Sequence, residues 1–285
     1  MKTGQKWLLG CGIGCGVLIL LVIALAAFGF SYFRGFISDI EESEQVQTRL
    51  DEQLGDLDHY EPPPDGAVPP DRLVVFLQVR TTLQPWHATM TGHFEDFPLA
   101  ADGPVRLSPI QQVKVLTGVA GFFGDLGKYM QERNEILLEH GMGLGEYFYI
   151  HTLVYHWWLG HNPIDGPELL YGLMHQNDVN IQFFDDDSTF GKSGSLRHYR
   201  LKVRMLLEKQ LAALDAAPEE APPGFRDELA AEVAALGSGE RRIPWEDNIP
   251  SHITAGLEPY RERLEGSYCP VVNLFDMHDA DDGAR

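Results

Sequence analysis

Histidine is the residue type in this chain best suited to chemistry, and His151, His156 and His161 recur at five-residue intervals. Histidine is the commonest nitrogen ligand of zinc. On an α-helix, however, a step of five residues turns the side chain by about 140°, whereas chelation from one face needs a step of four, as in H-E-x-x-H. These three therefore make no site by themselves. A metal centre needs partners from other segments: His87 and His93 stand in an aromatic-rich stretch, and Asp185 and Asp187 follow an apolar run. The candidate metal ligands are thus His87, His93, His151, Asp185 and Asp187. A metal-dependent hydrolase built on them requires His87 or His93 to converge with His151 or Asp185. The plainer expectation is a set of buried histidines hydrogen-bonded to tyrosines. The same region offers a second kind of site, because Trp86, Tyr147, His151, Tyr155 and Trp158 supply enough ring surface to line a pocket for a small ligand.

Asp185-Asp186-Asp187-Ser188-Thr189, after Ile181-Gln182-Phe183-Phe184, matches D-x-D-x-T. It resembles the phosphatase motif of the haloacid dehalogenase family, in which the first aspartate attacks phosphorus and the second acts as acid and base. The resemblance covers five residues. Asp276, Asp279 and Asp281 mimic that family's metal-binding end, but the strand-helix units it requires have no room in the fewer than 100 residues after the motif. A calcium loop of the EF-hand type would need glycine where Phe190 stands. The residues themselves predict an acidic turn facing the basic helix that follows, Asp185 and Asp187 against Arg197 and Arg200, in exposed pairs worth under about 1 kcal/mol each. No G-x-S-x-G, P-loop or dinucleotide fingerprint is present. Cys269 has no base beside it in sequence, so no catalytic residue is assigned and no cofactor is implied.

The segments that must carry these residues are helical in pattern. Residues 144–159, LGEYFYIHTLVYHWWL, hold six aromatic side chains besides histidine and one acid, Glu146. Sixteen residues exceed an ordinary strand, and Gly143, Gly145 and Gly160 mark the two ends, so the stretch predicts a helix. Leu144, Tyr147, Phe148, His151, Tyr155 and Trp158 fall on one face; Ile150, Leu153, Val154 and Trp157 fall on the other. A helix apolar all round is buried all round, which makes this the expected centre of the domain. Before it, Pro70-Asp71-Arg72 opens a helix that Pro85 ends. Residues 85–107 form a long loop that carries Trp86, His87 and His93, and Ser108-Pro109 opens a helix running to Gly141. In that helix Gly118, Gly121, Gly124 and Gly127 predict either a close crossing by a neighbour or a break near Gly124 and Asp125. After the centre come a short helix at 167–175, a strand or turn at 179–184 and a basic helix capped by Ser195. A proline-rich break at 216–224, a helix at 225–236 and another near 257–264 complete the pattern.

Residues 7–30 form an uncharged run flanked by Lys2, Lys6 and Arg34. About twenty apolar residues cross a bilayer, so the run predicts a single retained transmembrane helix, and the two lysines favour a cytoplasmic N-terminus at 1–6. Gly10 with Gly14, and Gly12 with Gly16, are small-xxx-small pairs that let two such helices approach, a face for a homodimer. Residues 31–60 hold an amphipathic stalk helix, and 61–70, with five prolines, a stiff linker. Residues 71–285 make an acidic extracytoplasmic domain with an internal break at 216–224. All 42 acids follow residue 38, whereas Lys2, Lys6 and Arg34 among the 22 bases precede it, so this part carries a formal charge of −23. Such a charge opposes binding to nucleic acid. Cys269 alone lies outside the anchor, so packing rather than an internal disulfide must hold the domain. The fold class expected is mainly α: one N-terminal transmembrane helix, then an α-helical domain with long loops. The function expected is that of a membrane-anchored, non-catalytic interaction or scaffold protein of the bacterial cell envelope, with envelope proteins as partners. The alternatives are the metal-dependent hydrolase and the aromatic pocket for a small ligand.

Overall fold

A computed structural model describes residues 43–94, 109–166, 192–239 and 243–276, apart from 44 and 247. The expected anchor at 7–30, its glycine pairs at Gly10, Gly12, Gly14 and Gly16, the elements at 167–184 and the acidic turn with Asp185 and Asp187 lie outside these residues. Within them the chain is mainly helical and has no strand, as the periodicity predicts. Among the described residues, no helix is long and apolar enough to cross a membrane.

The helices are α1 (residues 45–54), α2 (Pro70–Thr82), α3 (Gln84–Gly92), α4 (Pro109–Glu139), α5 (Leu144–His151), α6 (Lys192–Ala216), α7 (Phe225–Ser238), α8 (Ser251–Ala255), α9 (Arg261–Glu265) and α10 (Asn273–Asp276). The stretch 144–159 is central, as its ring content predicts, and residues 147–157 are all buried. It is not an α-helix throughout. At Thr152 it widens into a π-helix, Thr152–Trp158, in which the Leu159 N–H reaches the Val154 carbonyl at 2.9 Å, five residues back. Against this core lie α2, α9 and the turn Leu57–His59, while α4 packs on α2 and α3, and α6 runs along α7. Arg72 joins α2 to α5 by a two-pronged ion pair with Glu146, at 2.6 and 2.5 Å.

Several expectations need correction. The loop over 85–107 begins instead as α3, with Pro85 in its first turn. Proline lacks an N–H that the first turn leaves unpaired anyway, so it opens helices as readily as it ends them. Trp86 and His87 therefore ride on a helix. The glycine-rich helix is unbroken over its 31 residues. At Gly121 a Cβ would lie 2.7 Å from the His93 ring, so this glycine admits a side chain from the end of α3. Helix α6 starts at Lys192, and Ser195 lies inside it, buried, instead of capping it. Helices α8 and α10 were not anticipated, being only 5 and 4 residues long.

The stalk and the linker also behave differently from the sequence pattern. The amphipathic helix is present, but its Leu50 is fully buried and belongs, with Leu57, to the domain core. Val46 and Leu50 of its apolar stripe are covered within the chain, while Leu54 is exposed. The proline-rich 61–70 is irregular and lies on the domain as a strap: Val68 is buried, Tyr149 donates to the Gly66 carbonyl at 2.8 Å, and His252 donates to the Asp65 carbonyl at 2.9 Å. Gly66 has φ of 75°, and a Cβ there would meet the Gln210 amide at 2.8 Å. Only glycine both adopts that backbone and fits that gap.

Candidate functional site

The greatest concentration of chemically capable side chains is in the interior. Helix α2 is buried along Leu73, Phe76, Leu77 and Val79, and the one base among them, Arg80, is carried inside with them, fully buried. An unpaired guanidinium there would be very costly, so a buried acid has to meet it. That acid is Asp276, the last residue of α10 and also fully buried. Arg80 Nη1 lies 2.5 Å from Asp276 Oδ2 and 2.8 Å from the Tyr147 hydroxyl, and Nη2 donates to the Ser267 carbonyl at 2.7 Å. Asp276 Oδ1 accepts from the hydroxyls of Tyr129 and Tyr147. Burial alone would raise the Asp276 pKa; the Arg80 charge, with His151, outweighs burial and holds the carboxyl well below the usual range. A second buried arginine, Arg133, donates to the Phe275 carbonyl at 2.6 Å, so two guanidinium groups from α2 and α4 secure α10.

Histidines surround this pair. His151 is fully buried, with Nε2 3.6 Å from Asp276 Oδ2, too long for a hydrogen bond, and neither ring nitrogen has a partner. It packs edge-on against Tyr155, with centroids 4.7 Å apart. The π-helix brings in the next histidine: its slower winding sets the rings of His151 and His156 only 5.4 Å apart despite the five-residue step. His156 donates through Nε2 to Asn273 Oδ1 at 3.0 Å. His87, on α3, lies beside Tyr129 and close enough to feel both Arg80 and Asp276. Burial, reinforced by Arg80, pushes His87 down to about 3. His151 and His156 are also pushed down, chiefly by burial. All three are neutral at pH 7.

The structure thus brings His87 and His151 to one centre and leaves the other predicted ligands apart. His93 pairs with Asp125 at 3.0 Å on the outer side of α4. Among the described residues, no group of three or more histidines, cysteines or acids is placed to hold a metal ion. Of the expected pocket, Tyr147, His151 and Tyr155 meet in the interior. Trp86 is half-buried at the core edge, and Trp158 lies beneath the Arg261 guanidinium, 4.2 Å from its ring centre. No ring contact joins either tryptophan to the other three among the described residues. His161 stacks on Tyr268 at 3.8 Å, and Cys269 is buried with its thiol pKa raised by burial.

Arg80, Tyr129, Arg133 and Ser267 escape a reading of the sequence alone. For Arg80 a signal exists: Asp71 and Arg72 stand in the first turn of α2, whereas Arg80 follows the uncharged run Leu73 to Val79, which implies a buried counter-charge. Nothing in the sequence identifies Asp276 as that partner, 196 residues away. No protein-family model, no curated protein and no solved structure matches this chain.

Proposed function

We propose that this chain is a membrane-anchored, non-catalytic interaction or scaffold protein of the bacterial cell envelope, held by residues 7–30 and presenting an acidic helical domain outside the cytoplasm. One observation supports the non-catalytic part: the residues able to do acid, base or electrostatic chemistry, Arg80, Asp276, His151, Tyr129 and Tyr147, are fully buried. Arg80, Asp276 and the two tyrosines are also bonded to one another, so a substrate would have to break the core to reach them. The hydrolase alternative needs an open point where His87 or His93 meets His151 or Asp185. His87 and His151 do approach one point, but that point is filled by Arg80 and Asp276. The uncharged run and its flanking lysines carry the membrane part.

The test joins topology to assembly. The full chain carries a C-terminal reporter enzyme that is active only outside the cytoplasm. The detergent-solubilised protein is then sized after cross-linking in intact cells. Reporter activity in the membrane fraction, with the chain in a defined larger assembly, is the expected result. Recovery in the soluble fraction, or a chain that is always monomeric and alone, overturns the reading.

A further inference from the structure

Between α7 and the segment leading into α8 lies a cavity of about 480 Å³, walled in part by Pro222, Phe225, Glu228, Glu232, Trp245 and His252. Its volume suits a small molecule. Trp245 is held there at a cost. Among the described residues it is the one non-glycine with positive φ, at 48°. The residue is 5% exposed. Bulky residues avoid this backbone region, and strain of this kind persists where the surroundings enforce it, often at ligand sites. Three contacts enforce it: Glu232 Oε2 accepts the Trp245 backbone N–H at 3.0 Å, Phe225 stacks within 13° of parallel to the indole, and Trp157 meets the indole edge-on with centroids 5.3 Å apart.

The charge of the wall selects the ligand. Among the described residues that line it, two are acids and none is lysine or arginine; Glu228 is exposed at the rim. An anion there would face the carboxylates of Glu228 and Glu232. The chain beyond residue 38 carries a formal charge of −23, and its field concentrates cations at the surface. Prolines and aromatic rings in the wall fit an apolar body and favour a cation near their faces. We infer that this cavity binds a small organic cation, an ammonium group on an apolar body, with Glu228 as the pairing acid. The inference is independent of the scaffold reading.

The test titrates the detergent-solubilised full chain with benzylammonium, benzyl alcohol and benzoate, following the indole N–H resonances of its five tryptophans by NMR. Trp245→Phe assigns the relevant one. Benzylammonium is expected to shift the Trp245 resonance saturably and more strongly than either analogue, and added salt to weaken it. Glu228→Gln, at an exposed position, is expected to leave the other resonances in place and to weaken binding about threefold to fivefold. The inference is overturned by no saturable shift up to about 10 mM, by benzoate or benzyl alcohol binding as well as benzylammonium, or by unchanged affinity in Glu228→Gln.

Discussion

The Asp276 centre and the Trp245 cavity are both organised by a carboxylate, and they use it in opposite ways. Asp276 is fully buried against Arg80, Tyr129 and Tyr147, and what surrounds it is filled. Glu232 holds a strained backbone beside about 480 Å³ of open space. The first has the residues of an active site and no room; the second has room and few residues that a motif search would notice. A gathering of titratable groups is therefore a weak sign of activity when its charged members are buried and satisfy one another.

The contrast is sharpest in Asp276→Ala. Leaving Arg80 buried and unpaired is expected to cost about 3–5 kcal/mol in urea unfolding of the full chain, and the double variant Arg80→Met with Asp276→Leu to recover most of it. A loss below about 1 kcal/mol would mean that water already reaches the centre, and the two regions would not differ as described.

Acid should act next, and on the sealed region. The unfolded chain binds a proton at His87 near 6.5, whereas the folded chain does so only near 3. Stability from neutral His87 is thus complete above about 6.5 and drains away as the pH falls toward 3. His151 and His156 act in the same direction. Denaturation midpoints measured from pH 7 to 4 should fall steadily, and less steeply in His87→Phe; a flat profile would show that these rings are open to solvent.

Effects at the cavity should be smaller. Glu232→Ala leaves the Trp245 backbone N–H without its acceptor and is expected to cost about 1–3 kcal/mol by the same unfolding measurement. Glu228→Gln, exposed on the same helix, should change stability by no more than about 0.5 kcal/mol. A larger loss there would make Glu228 part of the fold and not a free rim acid.

Much of the architecture was legible in the residues. The rings of 144–159 announced a helix buried on every side, and Gly141 and the prolines near 218–223 announced the breaks around it. What was not legible depended on partners distant in sequence or on geometry without a sequence signal. Pro85 has the same appearance at the end of one helix as at the start of the next. The π-helix at Thr152–Trp158 has no propensity signature, so α-helical geometry turns His156 about 140° from His151 whereas the slower winding sets their rings 5.4 Å apart. In sequence Asp276 stands with Asp279 and Asp281 as one of the acids that mimic a metal-binding end, whereas its neighbours in space are Arg80 and Tyr147. Of the candidate metal ligands and pocket residues, Tyr147, His151 and Tyr155 of one stretch meet and His87 joins them from α3, whereas Trp158 of the same stretch, Trp86 and His93 do not.

The pairing of Arg80 with Asp276 also sets a schedule. The two residues are 196 positions apart, so as the chain is made the guanidinium of α2 must wait, hydrated and outside any finished core, until nearly all of the described domain has emerged. Helices can form early, but the core cannot close around a lone positive charge. The final state is reached only after residue 276 is free to fold back. A chain interrupted before that point carries its own defect, an arginine with nowhere to go, and is marked for removal by its failure to compact.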